Sequence, residues 1–294
     1  MSRIDLGFKS SPQAVDWATI ERLWELGGSL EVYDSAWLND HLTDQSHDRG
    51  GASFEPMTLL AALARHVPRL RVGHLVLANT FRHPAVLAKE ATVLDNVTGG
   101  RFILGLGAGW HEGEHRSLGI ELPPIGERID RFESAVRIIK ALFSEEAARE
   151  PGVTLDAPPW RLEGAVNLPA PVHPGGPPLW LGGQRPRGLK IAARYADGWN
   201  FTGNLGDLDD FRERRDVLLR SCDEVGRDPA EITVSVQLPG GADATERRAT
   251  VAKALEYVRE GAQHLILVVP ASRGPDGLQA LTDDVAIPVR DALG

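Results

Sequence analysis

The residues that can move a proton near neutral pH concentrate in two places. The first is Asp40-His41. An imidazole titrates close to physiological pH and can shuttle a proton, while the carboxylate beside it can contact a ligand. A plain alternative is an Asp–His pair that caps a loop. The second place is His111-Glu112-Gly113-Glu114-His115, directly after Gly105, Gly107, Gly109 and Trp110.

Three chemistries compete for the second segment. Gly105-Leu106-Gly107-Ala108-Gly109 suggests a dinucleotide fingerprint, which needs a third Gly three residues after the second and a helix starting there. Trp110 stands at that place, and no helical period begins before about Ile125. H-E-x-x-H suggests zinc, which needs both His on one face of a regular helix. Gly113, the glycines before it and Pro123-Pro124 after it predict a loop instead. The third reading is a loop laid over a ring-shaped cofactor. Glycines at the end of a strand let a flat ligand or its phosphate approach the backbone, and Trp110 offers an aromatic wall. A tight strand-to-helix turn with solvated charges explains the glycines and the two Glu, but less readily the Trp.

These residues need a scaffold, and the composition says which kind. With 42% apolar and 25% charged residues in 294, the chain reads as a soluble globular protein, one barrel or two smaller domains. A net charge of −9 without a basic cluster argues against nucleic acid as a partner. The first residues have no apolar targeting core, and no apolar run reaches membrane-spanning length, so the expected location is the cytoplasm. A single cysteine, Cys222, excludes an intrachain disulfide framework and a Cys-based metal cluster, and its helical context predicts a core thiol.

Short apolar runs alternate with helical patterns throughout. Strands are expected at Ile4–Phe8, Ser35–Asn39, Leu70–Leu77, Phe102–Leu104, Leu179–Leu181, Gly198–Phe201, Glu231–Val236 and His264–Val269. Helices are expected at Gln13–Leu26, Pro56–His66, Pro84–Asn96, Arg187–Tyr195, Leu208–Val225 and Thr245–Glu260, with a terminal one. The clearest carries Ile125, Ile129, Phe132, Val136, Ile139 and Phe143 at steps of three and four. Pro151–Gly176 has no helical period and reads as an excursion with one hairpin. Eight strand–helix units predict a single (β/α)8 TIM barrel over residues 1–294, with residues 151–176 inserted after the fourth unit. The barrel keeps its active site after the strands. That face would carry Lys9, Asp40, His41, Ala78, Asn79, Ala108, Gly109, Trp110, Gly182, Gly183, Gln184, Asn200 and Pro270.

Three long segments also resemble a known family. They are SAWLNDHL (35–42), LANTFRHPAVLAKEATVLDNVTGGRFILGLGAGW (77–110) and PPLWLGGQRPRGLKIAARYADGWNF (177–201). Together they are similar to the bacterial luciferase-like oxidoreductases. WHEGEHRSLGIELPPIGERIDRFE (110–133) resembles the branch that uses the deazaflavin coenzyme F420 rather than flavin mononucleotide (FMN).

The resemblance implies a barrel with a coenzyme ring across its mouth. The ring would rest on a bulge with a non-proline cis peptide, here Leu75–Val76, beside Ala78 and Ala108-Gly109. Small residues at Ala78 and Ala108 leave ring hydrogen bonds to backbone groups or Asn79. Gly182-Gly183 match a phosphate cradle that Gln184 and Arg185 would extend, in keeping with exposed amides at a helix start. His41 would lie near the reactive ring carbon, and Asp40 would contact the ring. Relatives that oxidise sugar phosphates carry a Glu where this chain has Trp110, so the resemblance does not extend to that acid–base pair. Glu112 is the carboxylate that would replace it, and Trp110 would wall an apolar or aromatic substrate.

The leading expectation is therefore hydride transfer between coenzyme F420 and a small organic substrate, with no metal. The alternatives are an FMN-dependent two-component monooxygenase, a non-catalytic flavin-binding protein, and a metal hydrolase using His111 and His115. The apolar helices leave room for a homodimer.

Overall fold

The apolar runs pair as parallel strands that close on themselves. The computed structural model describes residues 3–45, 51–203, 206–269 and 273–294. Its elements, in chain order, begin with β1 (Asp5–Ser10), α1 (Trp17–Ser29), β2 (Ser35–Leu38), α2 (Pro56–Leu63), β3 (Arg71–His74), β4 (Leu77–Ala78) and α3 (Pro84–Thr98). Next come β5 (Phe102–Gly107), α4 (Glu112–Leu118), α5 (Ile125–Leu142), β6 (Val153–Ala157) and β7 (Trp160–Ala165). The last third holds β8 (Leu179–Gly182), α6 (Pro186–Tyr195), β9 (Gly198–Thr202), α7 (Leu208–Val225), β10 (Thr233–Pro239), α8 (Ala244–Arg259), β11 (His264–Val268), α9 (Gly274–Leu281) and α10 (Ile287–Leu293). The main sheet runs β3-β2-β1-β11-β10-β9-β8-β5-β4, and a β3–β5 pairing closes it. This is the (β/α)8 barrel that the alternation predicts.

Side-chain alternation divides the barrel into two cores. Leu6, Phe8, Val236, Leu238, Leu265 and Leu267 point outward and are buried under the helices. Fully burying one such side chain contributes about 1.5–3 kcal/mol. The inward cluster is Trp37, Leu75, Ile103, Trp180 and Ile266. The rings of Trp37 and Trp180 lie 5.0 Å apart. Glycines make that fit: a Cβ on Gly73 would stand 2.8 Å from Trp37, and one on Gly198 2.5 Å from Trp180. Trp37 Nε1 donates to Ser35 Oγ, which is 2.7 Å from Nε2 of the fully buried His264. Burial pulls the His264 pKa down to about 3, so it is neutral.

The third strand departs from expectation. Its run is not continuous: β3 stops at His74 and β4 resumes at Leu77. Gly73 pairs with Ile103, but Ala78 pairs with Gly107, five steps on one strand against four on the other. One extra residue is therefore bulged out here, and the Leu75–Val76 peptide inside it is cis.

Three further expectations change. The predicted helix Gln13–Leu26 starts later, at Trp17, because Asp16 caps it by accepting from the Thr19 amide at 2.7 Å. It also runs past the expected end at Leu26, through Gly27-Gly28 to Ser29, and these glycines serve close packing. A Cβ on Gly27 would stand 2.4 Å from the Phe8 ring, and one on Gly28 2.2 Å from the His66 carbonyl oxygen. The fourth strand extends past Leu104 to Gly107. The loop expected after Trp110 contains α4, which His111 caps by accepting from the Glu114 amide at 3.0 Å and Gly119 closes at φ 67°. Residues 151–176 hold the expected hairpin, β6 antiparallel to β7. Cys222 is buried as expected. No described helix is long and apolar enough to cross a membrane.

Candidate active site

The ends of β2, β4, β5 and β8 bring the predicted residues to one end of the barrel. Asp40 follows β2 and is 5% exposed. Its carboxylate accepts from the Ala78 amide at 2.6 Å and from both Arg82 terminal nitrogens at 2.8 and 3.0 Å. Both oxygens are thus held by the protein, tying the end of β2 to that of β4. Arg82 also donates to Glu55 at 2.5 Å. Burial disfavours its charge, but Asp40 and Glu55 outweigh that and raise its pKa above the usual arginine value. Arg82 lies inside the resembling segment, yet only the fold reveals its partner, 42 residues away.

His41 is oriented from the other side. Its Nδ1 is 3.0 Å from Glu114 Oε2 on α4. The other oxygen of Glu114 accepts from the Leu42 and Thr43 amides at 2.5 and 2.9 Å. Burial pushes the Glu114 pKa up, but the His41 bond and the two amides outweigh it and leave it below the ordinary value. An ionised Glu114 can only accept, so the Nδ1 proton lies between the two and Nε2 is left facing outward. Nε2 makes no hydrogen bond among the described residues. A His held this way by a carboxylate has the geometry of a general acid or base.

Glu112, the carboxylate expected to do chemistry, is exposed on the first turn of α4 and makes no hydrogen bond among the described residues. The structure brings Glu114 to His41 instead. The helical turn of α4 is the reason: it buries Glu114 and His115 and leaves Glu112 outside. Trp110 is 69% exposed and stands edge-on to His41, ring centres 6.1 Å apart. The H-E-x-x-H imidazoles are engaged separately. His111 Nδ1 caps α4, while His115 Nδ1 meets the His111 carbonyl at 2.8 Å and its Nε2 meets Thr80 Oγ1 at 2.7 Å.

The positions expected to carry a coenzyme fall as follows. Val76, from the cis bond, packs on the inward cluster beside Leu75. A Cβ on Gly107 or Gly182 would stand 2.7 or 3.0 Å from Val76 Cγ2, so those glycines make room for this side chain. Ala108 packs toward the outer core. Gly109 adopts φ +81° against Thr80. Asn79 is buried, and its Oδ1 has no partner, as is true of Asn39 Oδ1 after β2. Gly183 follows β8 and leads through Gln184 to Arg185, where α6 begins without a side-chain cap. Neither Gln184 nor Arg185 uses its side chain within the described residues; Gln184 is half-buried and Arg185 exposed. Pro270 lies outside the described residues, as do residues 46–50 of the loop after His41.

A polar chain missed in part by the sequence crosses the mouth. Lys9 Nζ donates to Gln237 Oε1 at 2.7 Å, Gln237 Nε2 donates to Asn200, and Asn200 donates to Ser235 at 2.8 Å. Lys9 and Asn200 were expected at this face; Gln237 and Ser235 were not. Their signal was two polar residues in step, Ser235 and Gln237, alternating with the outward Val236 and Leu238.

Comparison with known proteins agrees with this architecture. A ketoreductase of phthiodiolone and phenolphthiodiolone dimycocerosates from Mycobacterium sp. is 32% identical over 237 residues, covering 75% of this chain and 60% of its own. An F420-dependent glucose-6-phosphate dehydrogenase from Kineococcus radiotolerans is 32% identical over 207 residues, covering 70% and 58%. The chain thus spans about 60% of the length of these curated relatives. A solved F420-dependent secondary alcohol dehydrogenase, bound to an F420–acetone adduct, superposes with a TM-score of 0.81 over 98% of this chain and 100% of its own, at 18% identity. The sequence model of the luciferase-like monooxygenases matches residues 20–278, and the chain belongs to that family.

Proposed function

We propose that this chain is an oxidoreductase that transfers hydride between coenzyme F420 and a small organic substrate at a carbonyl or alcohol carbon. The observation that carries the reading is the His41–Glu114 pair at the barrel mouth, with Nε2 of His41 unpartnered among the described residues. The relatives named above, a ketoreductase and a dehydrogenase, support a carbonyl–alcohol interconversion.

The residues present fit a deazaflavin. Asn79 and Asn39 each offer a buried oxygen without a partner, suited to donors on a ring edge. Gly183 has only Gly188 within 4 Å of an added Cβ, so its outer side is open for a phosphate near the uncapped start of α6. Leu75, Val76 and Ala78 would lie beneath the ring, and Gln184 and Arg185 would reach the phosphate. When bound, the coenzyme supplies a two-electron hydride exchange at one ring carbon.

The chain's own part is proton handling and placement. His41 Nε2 delivers a proton to the substrate oxygen during reduction, or takes it during oxidation. Glu114 fixes the ring orientation through its bond to Nδ1. Asp40 acts through Arg82 and the Ala78 amide to hold the mouth in shape, rather than through a free carboxylate. Trp110 borders the substrate's side and excludes water from it.

The test is a pair of titrations followed by an assay. Tryptophan quenching should report tighter binding of coenzyme F420 than of FMN. Reduced coenzyme should then be oxidised stoichiometrically by a member of a ketone and aldehyde panel without oxygen uptake. Tighter FMN binding with oxygen consumption would replace this reading by a monooxygenase.

A further inference from the structure

Arg128 lies on the first turns of α5, and its Nε and Nη1 are buried without a hydrogen-bond partner. The side chain makes no ion pair among the described residues either, although the neighbouring arginines do. Arg131 is held by Glu121 at 2.8 Å and Glu127 at 2.5 Å, and Arg82 by Asp40. Arg128 is half-buried, and two buried guanidinium donors without an acceptor are costly and demand one. Two cavities meet at this residue. One of about 290 Å³ runs from Asn79 past Arg128 to Trp160, and one of about 600 Å³ holds Arg116 and His115. Glu121, the acid on the first, is already paired with Arg131. At the inner wall of the same cavity stands the unpartnered Oδ1 of Asn79. The start of α5, which has no side-chain cap, adds positive potential.

We propose that this groove is an anion subsite in which Arg128 binds a carboxylate or phosphate of a small-molecule ligand that also carries a hydroxyl or N–H group for Asn79. The fork of Arg128 donors matches two oxygens of such a group. Its source is an acidic substrate or, if the coenzyme phosphate does not sit at Gly183, the phosphate-bearing part of the coenzyme. The groove is lined by Asn79, which follows β4, so the rest of the ligand would extend toward the barrel mouth.

The experiment titrates the full chain with inorganic phosphate at constant ionic strength, following binding heat and the thermal midpoint. Wild type should saturate, because a ligand that binds only the folded state raises its midpoint. Arg128→Met should bind at least about tenfold more weakly, as expected for losing a charge-assisted contact. Its ligand-free midpoint should not fall, because no partner is lost. Arg128→Lys should retain part of the affinity, and Arg131→Met should stay within about twofold of wild type, its charge being committed elsewhere. Unchanged phosphate affinity in Arg128→Met overturns the proposal, and so does a lowered ligand-free midpoint in both Arg128 variants, which would make the residue structural. Titrating coenzyme F420 and its headgroup without the phosphate tail then identifies the source. A loss confined to the whole coenzyme places the tail in the groove, and unchanged coenzyme affinity assigns the groove to an acidic substrate. The phosphate titration needs no coenzyme, so it stands or falls apart from the reading of the barrel mouth.

Discussion

A Cβ placed on Gly105 would lie 1.8 Å from the carbonyl oxygen of His74. The glycine repeat on β5 is therefore shaped by the bulge on β3. Gly105 admits the His74 backbone, and Gly107 admits Val76. The same spacing that imitates a dinucleotide fingerprint is a fit between two neighbouring strands.

Gly105→Ala should accordingly destabilise the barrel, because one of two backbones has to move. Overpacking costs about 1–3 kcal/mol, and a backbone contact lies at the upper end. That corresponds to a drop of about 2–4 °C per kcal/mol for chains near this size. Gly126→Ala is the control. It stands in α5 with nothing within 4 Å of an added Cβ, and should be neutral or gain about 0.5–1 kcal/mol. Equal midpoints for the two variants would contradict the contact.

His41→Ala should lower turnover by about 10²–10⁴-fold, the usual contribution of a positioned acid or base, while coenzyme affinity changes little. Glu114→Gln should lower kcat by a smaller factor, since the imidazole remains but loses its carboxylate partner. KM should be nearly unchanged in this variant, because Glu114 touches His41 and loop amides rather than the open mouth. Steady-state kinetics with the first substrate found decide it. Near-normal turnover in His41→Ala would remove the residue from the mechanism.

Gly183→Val should weaken coenzyme binding by at least about tenfold and leave the fold intact, since backbone approach to an anion needs a bare Cα. The first added carbon meets only the Gly188 backbone, at 3.5 Å, which is ordinary contact. Fluorescence titration gives the affinity and circular dichroism the fold. Undiminished affinity would place the phosphate elsewhere.

Lys9 makes stability depend on alkaline pH. Burial lowers its pKa from 10.5 to about 8. Between those values the unfolded chain binds the proton and the folded chain releases it, so the unfolded state carries more protons and stability rises with pH. The contribution is full above the unfolded value and lost as pH falls through the folded one. Urea unfolding of wild type and Lys9→Met at about pH 7 and about pH 10 should show the difference shifting in favour of wild type at the higher pH. A pH-independent difference would mean that Lys9 keeps its charge.

Much of this molecule was legible in one dimension. Strand–helix alternation dictated the barrel, because an apolar strand bounded by turns and followed by an amphipathic helix has few other ways to bury both. The α5 face was written in steps of three and four. The resemblance pointed to the cis bond at Leu75–Val76 and to the Asp40-His41 pair. What it could not supply were partners distant in sequence. Glu114 rather than Glu112 meets His41 because α4 turns one face inward, and a single Gly113 with a flanking Pro pair hid that helix. Asp40 meets Arg82 and Ala78 because barrel closure sets the ends of β2 and β4 side by side. Gly27 and Gly105 are small because Phe8 and His74 press on them, not because the chain turns there. Local spacing records how a segment lies against its own axis. Which side chain from a distant segment arrives there is decided only when the barrel closes.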